Sequence, residues 1–144
     1  MPSKQTRVVG MWKLVLSSLT VLGIASSISS MAMAAQFSFD FEWGGIKRCT
    51  TGRPNTVPNP IFHLRNVPEG TDNIHFEMKD LDVPSFRHGG GTVKYAGEGT
   101  INPGAFTYLS PCPPSGRHTY EWTATALDAN GKKLAVAKAS KKYP

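Results

Sequence analysis

Residues 110–128, SPCPPSGRHTYEWTATALD, are the most informative stretch of this chain. Three prolines restrict its first half to a rigid turn. From His118 onward, β-branched and aromatic residues alternate with polar ones and no breaker intervenes, which predicts a long strand over residues 118–128. The proline turn therefore delivers His118 and Tyr120 at the start of that strand.

Alternation of apolar and polar residues also dominates the rest of the chain. In residues 36–43 and 73–79 every second side chain is apolar, so each segment has one apolar face. We expect residues 61–66 to pair with residues 73–79. Residues 92–96 and 104–108 are shorter strand candidates. Asn130-Gly131 predicts a two-residue type I′ hairpin between residues 118–128 and 132–139. We expect a single all-β sandwich of about seven or eight strands with few or no helices.

The first 34 residues have the pattern of a secretion signal. A basic start precedes an apolar run over residues 14–28, and Ala32-Met33-Ala34 has small residues where signal peptidase reads them. We expect cleavage after Ala34, leaving a domain of residues 35–144 that is periplasmic or secreted. The alternatives are an uncleaved anchor, or a start at Met11 with a shorter leader.

Charge is unevenly distributed along the chain. The formal net charge is +6, but three of the cations belong to the leader, and five lysines fall in the last thirteen residues: Lys132, Lys133, Lys138, Lys141 and Lys142. A lysine-rich last strand is typical of a protected sheet edge. The alternative is weak contact with an anionic membrane surface. No basic patch is interleaved with aromatic residues, so nucleic acid is not expected as a partner.

Two cysteines occur, Cys49 and Cys112. In an exported protein they are expected to form a disulfide, whereas two free thiols are the alternative.

Two further segments have residues that are unusual for a purely structural role. One is Asp80-Leu81-Asp82-Val83-Pro84 at the end of a predicted strand, and the other is His88 followed by three glycines. With the proline turn, these segments resemble the phosphatidylethanolamine-binding protein family, whose bacterial members are also called Raf-kinase-inhibitor-like proteins. That family has an Asp-Pro-Asp-Ala-Pro segment and, later, a Gly-Pro-Cys-Pro-Pro-x-Gly-x-His-x-Tyr run before a long strand ending in Ala-Leu-Asp.

The resemblance implies a β-sandwich with a small anion-binding pocket where the two motifs meet. By motif position it assigns ligand binding to Asp80, His118 and Tyr120, with His88 as a further candidate. The residues expected to shape the pocket are Asp82, Pro84, Ser110, Pro111, Cys112, Pro113 and Pro114. It implies a binding protein without enzymatic activity or cofactor.

The chemistry of such a pocket can be stated from the residues. An oxyanion needs directed donors, which the two imidazoles, the Tyr120 hydroxyl and backbone N–H groups of the glycine-rich segment could supply. Asp80 can hold an imidazole in one tautomer, and Asp82 can accept N–H groups of its own turn. The alternative for both carboxylates is simple turn capping.

The chain departs from the family in two places. The segment between the motifs is abbreviated, and the chain turns at Asn130-Gly131 where many relatives insert a helix. We therefore expect a shallow, open pocket that takes a small anion, such as phosphate or a phospholipid head group.

Three other functions remain open from the residues. The first is an envelope protein-interaction module with a vestigial pocket. The second is a hydrolase using Ser110, His118 and Asp80, although no nucleophile elbow is present. The third is a zinc site built from His88, His118, Asp80 and Asp82, whose spacing matches no known zinc motif.

Overall fold

The computed structural model describes residues 35–144, together with Met1, Ser3 and Gly10. The predicted signal peptide falls almost entirely outside the described residues. Within 35–144 the chain forms nine strands and no helix. The described residues therefore include no helix that could span a membrane. The strands are β1 (Ser38–Glu42), β2 (Thr56–Pro58), β3 (Ile61–Arg65), β4 (Asn73–Asp80), β5 (Arg87–Lys94), β6 (Thr100–Ile101), β7 (Thr107–Leu109), β8 (His118–Leu127) and β9 (Lys133–Tyr143).

The strands form three antiparallel sheets with orders β1-β3-β6, β2-β7 and β5-β4-β8-β9. The predicted all-β architecture is confirmed, but one predicted pairing is wrong. Strand β3 pairs with β1 and β6, whereas β4 pairs with β5 and β8. The alternation of apolar and polar residues shows which face of a strand is buried, but it does not show which other strand pairs with it.

The core lies between the three-stranded and four-stranded sheets, which makes the domain a β-sandwich. Phe62 of β3 stacks on Phe76 of β4 with ring centroids 4.2 Å apart, and it meets Trp122 of β8 edge-on at 5.2 Å. All three side chains are fully buried. Aromatic pairs of this kind add about 0.5–1.5 kcal/mol each beyond the area they bury, so they stabilise the contact between the sheets.

The hairpin between β8 and β9 forms as predicted, but its turn differs from type I′. A type I′ turn requires positive φ at both central residues, and here Gly131 has φ 77° while Asn130 does not lie in that region. The Gly131 amide donates to the Asp128 carbonyl, and the Asp128 carboxylate accepts from the amides of Asn130 and Lys132. The connection is therefore a longer loop that closes on a glycine bulge and is capped by Asp128.

The glycine-rich segment after His88 lies in β5 and is not a ligand-binding turn, which corrects the expectation for its backbone. Gly90 pairs with Glu77 and Gly91 with Phe76 of β4. A Cβ on Gly90 would lie 1.9 Å from the Phe76 carbonyl oxygen, and one on Gly91 would lie 2.4 Å from Cβ of Phe106. These glycines are required because the sheet and a core ring approach the strand too closely for any side chain.

Strand β9 forms one edge of the four-stranded sheet, as the lysine-rich pattern predicted. Two of its lysines are paired within the molecule. Lys138 Nζ lies 2.8 Å from Glu121, and Lys141 Nζ lies 3.1 Å from Asp40. The charge of this edge is therefore partly neutralised by neighbouring strands.

Candidate functional site

Asp80 ends β4 and organises the turn that follows it. Its carboxylate is 4% exposed, and Oδ1 accepts the amides of Asp82 at 2.9 Å and Val83 at 3.2 Å. Its other oxygen, Oδ2, accepts Nδ1–H of His118 at 2.7 Å. The β4–β8 register causes this contact, because it sets Asp80 opposite Tyr120, and His118 lies two residues earlier on the same face. Asp80 therefore both caps its turn and fixes the His118 tautomer.

Asp82 has a different role from the one expected. Its carboxylate does not cap its own turn, since Oδ2 accepts the amide of Thr119 on β8 at 2.7 Å. The Leu81 amide donates to the Thr119 carbonyl at 2.8 Å. Together these bonds fasten residues 80–83 to the start of β8. Asp82 thus holds the turn against the strand that carries His118 and Tyr120.

His88 of β5 is a buried, neutral imidazole. It is 4% exposed, and its Nδ1 lies 2.8 Å from the Leu109 carbonyl oxygen. Since a carbonyl can only accept, Nδ1 carries the hydrogen and Nε2 presents a lone pair. Burial lowers the pKa of His88, and this outweighs the opposing effects of the Leu109 carbonyl and the Asp80 charge. His88 therefore offers a ligand a hydrogen-bond acceptor.

Tyr120 is fully buried beside both histidines. Its ring meets His88 edge-on at 5.4 Å and stacks on His118 at 6.3 Å. Its hydroxyl makes no hydrogen bond of good geometry among the described residues, although the Asp80 carboxylate and the Cys112 backbone lie near enough to affect its pKa. Burial, supported by the negative charge of Asp80, raises the pKa of Tyr120, so the hydroxyl stays protonated. A buried donor without an acceptor costs free energy that a ligand could recover.

These four side chains line one cavity of about 270 Å³. The first motif adds Val83, and the second adds Cys112, Pro113 and Pro114 to its wall. The structure thus brings Asp80, His88, His118 and Tyr120 together in the arrangement that the motif resemblance implies.

Other residues assigned to the pocket lie outside its lining. Ser110 is buried on a different cavity, where its hydroxyl accepts the Asn55 amide at 3.1 Å. Pro84 is exposed and lines a groove that includes Glu77 and Lys79. Pro111 is fully buried and does not line the cavity. Of the five residues 110–114, the last three line the cavity.

Sequence reasoning missed one wall of the cavity. Gly52 and Pro54, from the loop between β1 and β2, line it beside the proline turn. A disulfide between Cys49 and Cys112 joins this loop to the turn. The expected disulfide is therefore present, and Cys49 was the signal that could have placed its loop at the site. Phe86, between the two motifs, also lines the cavity.

The positions of three side chains also raise the question of whether a metal ion could bind here. Ligand atoms of Asp80, Asp82 and His118 lie within 4.8 Å of one another. The carboxylate oxygens that face His118 and Thr119 already accept protein N–H groups, and Nδ1 of His118 donates to Asp80. Nδ1 of His118 cannot bind a cation while it donates to Asp80, and His88 is not part of the cluster.

Comparison with known proteins identifies the fold. A phosphatidylethanolamine-binding protein homologue from Chlamydia trachomatis superposes with a TM-score of 0.54 at 16% identity, over 76% of this chain and 97% of that chain. YbcL of E. coli, described as a member of the mammalian family of such proteins, gives a TM-score of 0.46 at 20% identity, over 76% of this chain and 98% of that chain. No protein-family model and no curated protein matches the sequence. The chain has the phosphatidylethanolamine-binding-protein fold, which confirms the resemblance at the level of fold.

Proposed function

We propose that this chain is an exported, non-enzymatic binding protein that recognises a small phosphate-bearing anion in the cavity formed by Asp80, His88, His118 and Tyr120. The observation that carries the proposal is that Tyr120 lines the same cavity as two histidines, while its buried hydroxyl makes no well-formed hydrogen bond within the described residues. An oxyanion oxygen supplies the missing acceptor.

The two histidines complement different parts of such a ligand. His118 is tied to Asp80 through Nδ1, so its free Nε2 can donate to a phosphate oxygen when the ring is doubly protonated. His88 is neutral, and its Nε2 can only accept. A phosphate that retains one hydroxyl satisfies both, because it offers acceptor oxygens and one donor.

Asp80 does not oppose binding as a free carboxylate would. Its oxygens already accept three N–H groups, from His118, Asp82 and Val83. Its charge is therefore engaged with protein donors. The cavity volume of about 270 Å³ suits a head group, not a whole lipid.

Other features support binding over catalysis and an exported location. The Ser110 hydroxyl lies on another cavity, away from the His118–Asp80 pair that a hydrolase triad would need. The Cys49–Cys112 disulfide fits an oxidising compartment. Contact of the β9 lysines with anionic lipid would be weak, since Lys138 and Lys141 are already paired.

Titration of the isotope-labelled protein with inorganic phosphate, phosphoethanolamine and sulfate tests the proposal. We expect saturable NMR shifts at His118 and Tyr120 with both phosphates. Sulfate should bind more weakly than inorganic phosphate, because hydrogen phosphate keeps one hydroxyl to donate to His88 near neutral pH and sulfate has none. His118→Gln should weaken phosphate binding, whereas the exposed His75→Gln should not.

Absence of shifts at His118 and Tyr120 at millimolar phosphate would contradict the proposal. Equal binding of sulfate and phosphate would contradict the acceptor role of His88. Turnover of a nitrophenyl ester or phosphate that is lost in His118→Gln would overturn the non-enzymatic assignment.

A further inference from the structure

A second cavity of about 560 Å³ lies between the segment that follows β1 and strand β2. It shares no lining residue with the cavity of His118 and Tyr120. Its volume falls within the range of small-molecule sites, and Ser110 forms part of its lining. It is therefore a separate candidate site.

Most of this cavity's wall is apolar. Trp43 and Ile46 come from the segment after β1, Val57 and Pro58 from β2, and Pro103 from the turn after β6. Such a surface favours the apolar body of a ligand and provides an indole face for an aromatic ring.

Two polar groups of the lining residues are donors without an acceptor. Ser110 is 2% exposed, and its hydroxyl accepts the Asn55 amide, but no described residue accepts its own O–H. The indole N–H of Trp43 is also buried without a partner. These groups lack acceptors, which an anion could provide for Ser110.

The side chain of Asn59, which also lines this cavity, differs from Ser110 and Trp43 because all of its hydrogen bonds are made within the protein. Its Nδ2 donates to the carbonyls of Pro60 and Asn102, and its Oδ1 accepts the amides of Gly104 and Phe106. All four of its hydrogen-bonding positions are occupied, so it holds the loops together and leaves ligand recognition to Ser110.

The charge at this cavity is positive. Lys47 lines it, no Asp or Glu does, and Lys47 forms no ion pair within residues 35–144. A ligand with an apolar body and one anionic group therefore matches both the wall and the donors.

We propose that this cavity binds a small aryl or alkyl carboxylate. The apolar body packs against Trp43, Ile46 and Val57, and the carboxylate accepts the Ser110 hydroxyl and pairs with Lys47. The site is independent of the phosphate site, so either proposal can fail without the other.

The test uses 4-phenylbutyrate and its charge-reversed counterpart 4-phenylbutylamine, titrated into the 15N-labelled protein. We expect the butyrate to shift the Trp43 indole and Ser110 amide signals saturably, with a dissociation constant in the millimolar range for a ligand of this size. The Trp43 indole signal is assigned from its loss in Trp43→Phe. The amine should bind several-fold more weakly.

Lys47→Gln should weaken butyrate binding about two- to fivefold, as expected for an exposed ion pair. Lys132→Gln, in the hairpin after β8, is the matched control and should leave binding unchanged. The proposal is overturned if the Trp43 indole does not shift, if the amine binds as tightly as the butyrate, or if shifts are confined to His118 and Tyr120.

Discussion

Asp80 Oδ2 lies 2.7 Å from Nδ1 of His118, although 38 residues separate them in the chain. The contact is made between two buried or largely buried side chains at the ends of paired strands. It leaves Nε2 of His118 as the nitrogen available to a ligand in the cavity. The orientation of the candidate binding histidine therefore depends on a single carboxylate.

Replacing that carboxylate by Asp80→Asn should reverse the His118 tautomer. The amide nitrogen that replaces Oδ2 can only donate, so Nδ1 of the neutral ring must become an acceptor and the hydrogen moves to Nε2. We expect a loss of about 1–2 kcal/mol in unfolding free energy, because a charge-assisted bond is replaced by a neutral one. Imidazole 15N shifts identify the tautomer. Asp82→Asn is the control, and an unchanged tautomer in Asp80→Asn would refute the role of Asp80.

Tyr120→Phe should weaken phosphate binding without lowering the stability of the fold. Removing a buried hydroxyl that lacks a partner should leave the unfolding free energy unchanged or raise it by up to about 1 kcal/mol. Phosphate affinity should fall about five- to tenfold, the equivalent of one hydrogen bond.

Tyr108→Phe provides the matched control for this pair of measurements. Tyr108 is also buried, with an unpartnered hydroxyl, but it does not line the cavity. Urea unfolding should give a similar result for both variants, and calorimetry should show normal phosphate binding for Tyr108→Phe. Equal affinity in the two variants would contradict a ligand contact at Tyr120.

His88 should make the protein less stable in mild acid. Its pKa is lowered in the folded state from the ordinary 6.5, so the unfolded chain binds the proton more readily. Its contribution is complete above pH 6.5 and is lost as the pH falls below that value, with a slope of at most about 1.4 kcal/mol per pH unit for one proton. His88→Asn keeps a donor for the Leu109 carbonyl and cannot be protonated. Urea unfolding between pH 7.5 and about pH 5 should show a weaker pH dependence in this variant, and identical profiles would refute the prediction.

The disulfide should contribute to both stability and ligand affinity. Cys49 and Cys112 are 63 residues apart, and a loop of that length restricts the unfolded chain by about 4 kcal/mol in the entropic account. The double variant Cys49→Ser with Cys112→Ser should lose about that unfolding free energy. It should also bind phosphate more weakly, because Gly52 and Pro54 are no longer held against the proline turn. Calorimetry on the folded variant measures the second effect, and unchanged affinity would mean that this loop does not shape the site.

The positions of the longer strands followed from the sequence because a side chain's burial alternates along a strand. The shorter candidates at 92–96 and 104–108 were misplaced, since the strands there are Arg87–Lys94 and Thr107–Leu109. The core faces of residues 36–43, 73–79 and 118–128 all appear in the structure, as does the β8–β9 hairpin. Partner choice did not follow, and β3 was assigned to the wrong neighbour. The turn type was also wrong, because the Asp128 carboxylate accepts the amides of Asn130 and Lys132 and holds a longer loop.

For the candidate site, the resemblance in the two motifs named Asp80, His118 and Tyr120, and the segment between them added His88; the structure places all four on one cavity. The sequence alone also indicated the disulfide and the lysine-rich edge. Only the tertiary structure decided that Ser110 lies on another cavity, that Gly90 and Gly91 serve packing, and that Gly52 and Pro54 line the pocket. These outcomes depend on which distant segments lie against each other, and a local pattern of side chains does not encode that contact.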